Sequence, residues 1–189
     1  MSEFEHISTE ELVKEMLRRI GEDPEREGLR ETPARVVRAW KEWFKGYTMQ
    51  PEDVVKVFAD GAEGCDQLVI EKKIPIFSHC EHHIAPIFGV AHVGYIPRDK
   101  IIGLSKINRL VDMYARRLQV QERLTNQIAD ALDNLMKPKG VGVILECRHF
   151  CVESRGIRHA GCSTVTSALR GCVLKEQECR AEFMRLTGV

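Results

Sequence analysis

The chain has 189 residues, with 28 Lys plus Arg against 28 Asp plus Glu and a formal net charge of zero. That length suits one compact domain with a small appendage, large enough to bury a core without disulfide staples. The charge balance excludes a general nucleic-acid or membrane-surface binder, which needs a basic excess, but leaves room for a local anion pocket and for self-association.

Met1-Ser2-Glu3-Phe4-Glu5-His6 carries no basic stretch followed by an apolar one, and no run of 18 apolar residues follows. Neither a secretory leader nor a membrane span is expected, so the chain reads as cytoplasmic. Its seven cysteines, at 65, 80, 147, 151, 162, 172 and 179, are then expected as reduced thiols. Cysteines near histidines in that setting point to metal or catalysis before disulfides.

Residues 8–20 read as a helix, with Ser8 and Glu11 as a capping box and Gly21 as its stop. Thr32-Pro33 opens a second helix, with Thr as N-cap and Pro at the first helical position. A short third helix follows Pro51. The small, polar residues 59–66 mark a boundary, giving a helical N-terminal segment, 1–64, and a core, 65–189.

In the core, residues 68–77 and 87–96 are rich in β-branched and apolar residues and read as strands. Ser105 to Leu118 sets Ile107, Leu110, Val111 and Tyr114 on one helical face, and Gln121 to Met136 does the same with Leu124, Ile128 and Leu132. Residues 141–152 and 163–174 read as two more strands, and 175–186 as a last helix. The order β-β-α-α-β-β makes an α+β unit with a four-stranded antiparallel sheet, whose two open edges invite pairing with copies of the chain.

Cys80-Glu81-His82-His83, directly after the first strand, is the densest cluster of metal-ligand types. His149 and Cys151 stand two apart on a predicted strand and so share a face. Thiolates with imidazole suit zinc better than magnesium or calcium. Cys80, His83 and Cys151 together leave a fourth position open, as a catalytic zinc requires, with His82 and His149 as proton carriers. A closed structural zinc that also takes His149, or a plain buried thiol at Cys151, fits the same spacing.

Gly103-Leu104-Ser105-Lys106 opens a helix, whose N-terminus suits phosphate. Ser105 is placed to cap that helix and donate to an anion, Lys106 and Arg109 add charge one turn apart, and Arg155 adds a guanidinium just beyond Cys151. Each is, alone, an ordinary surface charge. Glu122, beside Gln121, either accepts two N–H donors from a guanine edge or simply complements its helix dipole.

Cys80-Glu81-His82-His83, Gly103-Leu104-Ser105-Lys106, the run Arg116 to Thr125, and His149 with Cys151 and Arg155-Gly156 together resemble GTP cyclohydrolase I. Thr32-Pro33-Ala34-Arg35-Val36 and Thr164-Val165-Thr166-Ser167 extend the resemblance from about residue 8 to the C-terminus. It implies the tunnelling fold, sheets joined edge to edge into a barrel, a decamer of two pentamers, and sites between subunits. By motif position, Cys80, His83 and Cys151 bind zinc, and His82, His149 and Ser105 move protons. Arg35, Ser105, Lys106, Arg109 and Arg155 hold the triphosphate, and Gln121 with Glu122 the guanine. The implied reaction is zinc-assisted attack of water on C8 of GTP, release of formate and rearrangement to 7,8-dihydroneopterin triphosphate, with no organic or redox cofactor. Ile84 to Ile87, Val152 to Ser154 and the additional imidazole of His79 depart from the family pattern without touching a motif residue. A second enzymatic reading is a tunnelling-fold enzyme of another purine or pterin, such as a nitrile reductase, whose chemistry needs a free thiol and a nicotinamide site, and here the obvious thiols are committed to metal. A zinc-stabilised oligomeric scaffold is the non-enzymatic alternative.

Overall fold

The structure, a computed structural model, describes residues 6–188. Residues 1–5, on which most of the leader reading rests, and residue 189 lie outside the described residues. Two compact units divide the chain, Met1–Lys45 and Gly46–Val189, and the polar segment 59–66 lies within the second.

In the first unit, α1 (Thr9–Arg19) carries the expected capping box: Ser8 accepts from the Glu11 N–H, and the Glu11 carboxylate accepts from the Ser8 N–H. Helix α2 (Thr32–Trp43) starts one residue earlier than expected. Glu31 is its N-cap and Thr32 is already helical, because Glu31 has helical backbone angles that continue the preceding turns. Pro33 therefore sits at the second helical position.

A 3₁₀ turn, Lys45–Thr48, runs from the last residue of the first unit into the second, where α3 (Pro51–Val54) follows. A short ribbon pairs β1 (Val57–Phe58) with β4 (Ile101–Ile102). The main sheet holds β2 (Val69–Cys80), β3 (Pro86–Ile96), β6 (Gly140–His149) and β7 (Thr164–Arg170), antiparallel in that spatial order. A fifth strand, β5 (Leu118–Gln119), lies parallel to the end of β2, with His79 opposite Leu118 and Cys80 opposite Gln119. The expected four-stranded antiparallel sheet is thus five-stranded, with one parallel edge.

Helices α4 (Leu104–Ala115) and α5 (Gln121–Met136) cover one face. Ile107, Leu110 and Val111 of α4 and Leu124, Ile128 and Leu132 of α5 are fully buried against Ile76, Ala91, Val93, Val143 and Leu145. Their i, i+3, i+4 spacing against the alternation of the strands makes this layer. On the opposite face, α8 (Gln177–Thr187) seats Phe183 over Gly94 and Gly142, where a Cβ on Gly142 would come within 2.7 Å of the ring. No helix among the described residues is long and apolar enough to cross a membrane.

Three predicted elements end early. α4 stops at Ala115 rather than Leu118, because Leu118 and Gln119 are drawn out as β5 and Arg117 donates to the carbonyls of Gly46 and Met49. β6 stops at His149 rather than residue 152: its neighbour β3 runs out at Pro86, and the unpaired chain turns into α6 (Phe150–Glu153). β7 gives way at Gly171, φ +58°, to α7 (Gly171–Lys175), where the Cys172 N–H bonds the Lys139 carbonyl.

Candidate metal centre

The hairpin between β2 and β3 forms the first half of the site. β2 runs past its expected end at Phe77, so Cys80 is its last residue rather than part of the segment after it, and Glu81 to His83 form the turn. The Ile84 N–H bonds the Cys80 carbonyl at 2.9 Å, and the Cys80 N–H bonds the Ala85 carbonyl at 2.8 Å. This single helical turn puts positions three apart on one side. Cys80 Sγ and His83 Nδ1 accordingly stand 3.7 Å apart, while His82 projects outward, 65% exposed, with Nε2 3.9 Å from Glu81. Arg123 pairs with the Glu81 carboxylate and the Glu81 N–H bonds the Gln119 carbonyl, which ties the turn to the head of α5.

The second half comes from the end of β6. Ile87, at the base of the hairpin, pairs with His149, so both halves meet at one end of the sheet. Cys151 lies on α6, not on a strand, and the shared-face argument for His149 and Cys151 is thereby corrected. The helical turn carries Cys151 toward the hairpin. One ligand atom each from Cys80, His83 and Cys151 lies within 4.8 Å of the others, and His149 is not a member of this group.

These donors fit zinc. Bonds of about 2.3 Å to sulfur and about 2.05 Å to nitrogen in a tetrahedron set S and N roughly 3.6 Å apart, close to the spacing of Cys80 and His83. Burial and the neighbouring Cys80 thiol push the Cys151 thiol up. Two thiols and one imidazole also leave a tetrahedral ion one position for a further ligand.

Arg155 donates from Nη1 to His83 Nε2 at 2.9 Å, so His83 presents Nδ1 to Cys80. His149 is half-buried, and burial pulls its imidazole below the ordinary range while the Glu122 carboxylate works the other way. His149 Nε2 lies 2.7 Å from Gln121 Oε1. Gln121 is 2% exposed and its amide nitrogen is taken up by Leu145, Thr164 and Thr166. Its side chain therefore has no free donor for the guanine contact that the resemblance implied, whereas the neighbouring Glu122 is exposed.

Ser105 is the second residue of α4, and Gly103 takes the N-cap with no side-chain bond, which corrects the capping role expected for Ser105. Ser105 and Arg109 are exposed and Lys106 partly so. Arg109 lines a groove of about 340 Å³ with Phe77, Asp112 and Arg116. Arg35, in the first unit, is paired with Glu31 at 2.5 Å. The structure thus brings together Cys80, His83, Cys151 and Arg155, and beside them His149 with Gln121. Sequence reasoning missed Thr125 and Thr166, which anchor Gln121, and Arg123, which anchors Glu81. Only the i, i+4 spacing of Gln121 and Thr125 on one helix face signalled any of this.

Residues 9–188 match the GTP cyclohydrolase I family. The chain is 56% identical over 171 residues to the GTP cyclohydrolase 1 of Nitrosospira multiformis, spanning 90% of each chain. It is 54% identical over 180 residues to that of Janthinobacterium sp., spanning 95% of this chain and 90% of the relative. It is 54% identical over 188 residues to that of Streptomyces coelicolor, spanning 98% and 92%. A match of this depth, running from the first turn of α1 through α8 and including every residue of the metal centre, places the chain in the GTP cyclohydrolase I family.

Proposed function

We propose that the chain hydrolyses GTP at C8 of guanine, releases formate and yields 7,8-dihydroneopterin triphosphate, the entry step of pterin and folate synthesis. The observation that carries this reading is the convergence of Cys80, His83 and Cys151 in a chain of this family. These three residues hold zinc. When bound, zinc supplies Lewis-acid activation of water at neutral pH.

The chain's own residues do the rest. His82, exposed on the hairpin turn, protonates N7 of the purine and makes C8 more electrophilic. His149 and Ser105 carry protons during ring opening and the later ribose rearrangement. Glu122 accepts the two N–H donors of the guanine edge. Ser105, Lys106, Arg109 and Arg155 hold the triphosphate through charge-assisted bonds. The outer edge of β7 has no partner strand among the described residues, which suits a tunnelling-fold barrel of five chains joined edge to edge, two such rings forming a decamer with sites between subunits.

Formate measured from GTP, with and without a metal chelator, tests the reading. Chelator-sensitive formate release supports it, and an inactive, zinc-loaded protein points to a metal-stabilised scaffold instead.

A further inference from the structure

We propose that Gln121 is a positioning residue: it holds the ring of His149 with its proton on Nε2, so that Nδ1 is the nitrogen facing the reacting nucleotide. This rests on the reading of His149 as a proton carrier and goes beyond it by naming the working atom and what fixes it.

The orientation of the Gln121 amide follows from its partners. Nε2 lies 3.1 Å from the Leu145 carbonyl, 2.9 Å from the Thr164 carbonyl and 3.1 Å from Thr166 Oγ1. Main-chain carbonyls only accept, so the nitrogen end of the amide belongs there, and the flipped amide would set its oxygen against two carbonyl oxygens. Oε1 is therefore the atom 2.7 Å from His149 Nε2. An amide oxygen also only accepts, so His149 must donate from Nε2.

The hydroxyl protons agree with this direction. Thr125 Oγ1 donates to the Gln121 carbonyl at 2.7 Å, which uses its one proton. In the 2.6 Å contact between Thr125 and Thr166, Thr166 must then be the donor. The lone pairs of Thr166 are left to accept from Gln121. The two amide protons of Gln121 are shared among three acceptors, and the hydroxyl protons of Thr125 and Thr166 and the Nε2 proton of His149 are assigned without conflict. The anchors lie on three packed elements, α5, β6 and β7, and Gln121 and Thr125 are essentially inaccessible to solvent. A buried network satisfied in this way holds one geometry.

The test is a double-mutant cycle on the zinc-loaded full-length chain, read by single-turnover formate release from GTP. Gln121→Met keeps length and volume but removes both ends of the amide. It is expected to lower turnover on the order of 100-fold, as loss of orientation does, with KM for GTP little changed. In the His149→Ala background the same substitution is expected to change turnover by less than about twofold, because its effect is transmitted through the imidazole. Thr166→Val, which removes one acceptor and keeps the β-branched shape, serves if Gln121→Met does not fold. It should show a smaller loss with the same dependence on His149. Equal losses in both backgrounds, or a raised KM with turnover intact as a guanine contact would give, overturn the proposal. Wild-type turnover in His149→Ala alone overturns the proton-carrier reading and this proposal with it, whereas a slowed but measurable His149→Ala with an additive cycle overturns only the positioning role.

Discussion

Arg155 reaches across from the segment after Cys151 and donates to Nε2 of His83, 2.9 Å away on the β2–β3 turn. An arginine that the resemblance assigns to triphosphate thus also contacts His83, a member of the candidate metal group with Cys80 and Cys151. A neutral imidazole that accepts at Nε2 carries its proton on Nδ1, so a metal bound through Nδ1 would move that proton to Nε2 and displace Arg155, which has no acceptor to offer it.

Arg155→Ala is therefore expected to reduce kcat/KM for GTP by roughly 10- to 150-fold, the loss of a charge-assisted bond of about 1.5–3 kcal/mol. Guanosine, which lacks the triphosphate, should be a far poorer substrate for the wild-type chain, and the substitution should narrow that gap. Steady-state rates with both substrates check this. An equal fractional loss on GTP and guanosine would assign Arg155 to the metal turn alone.

The division between ligands and proton carriers is separately testable. Cys80→Ser, Cys151→Ser and His83→Ala are expected to lose both zinc and turnover. His82→Ala and His149→Ala are expected to retain about one zinc per chain while losing roughly 10²- to 10⁴-fold in turnover. Metal analysis and formate release on the same preparations decide this. A His149→Ala protein emptied of metal would revive the closed four-ligand site.

Sequence alone reached the pairing of Cys80 with His83 because an x2 spacing survives any local conformation that turns once. It reached α5 to the residue, since Leu124, Ile128 and Leu132 repeat cleanly and Pro138 stops the pattern. It misjudged β6, because Phe150, Cys151 and Val152 are as apolar as a strand, and what ends the strand is the loss of a neighbour at Pro86, a property of another part of the chain. It missed β5 for a similar reason, since two residues carry no period. The role of Gln121 was out of reach, being fixed by carbonyls of β6 and β7 that lie 24 and 43 residues away.

His92 on β3 gives a pH dependence of stability. It is 4% exposed, and its Nδ1 has no hydrogen-bond partner among the described residues. Burial holds it below the ordinary histidine range, with Lys72 and Lys73 of β2 pushing the same way and Glu146 of β6 opposing. The unfolded chain then takes up a proton at His92 that the folded chain resists. Stability from this residue is full above the ordinary value of about 6.5 and falls as pH drops through it. Urea midpoints measured from pH 7.5 to 5.5 should decline, and His92→Asn should flatten the decline. Equal slopes in the two proteins would remove His92 as a source of acid sensitivity.

The most direct test of the account as a whole is formate release from GTP by the purified chain, before chelation, after chelation and after zinc is restored. An open site of Cys80, His83 and Cys151 predicts formate in the first state, its loss in the second and its return in the third. Formate release that persists after verified removal of all metal would contradict the central claim, because the two thiols and one imidazole would then have no part in the chemistry.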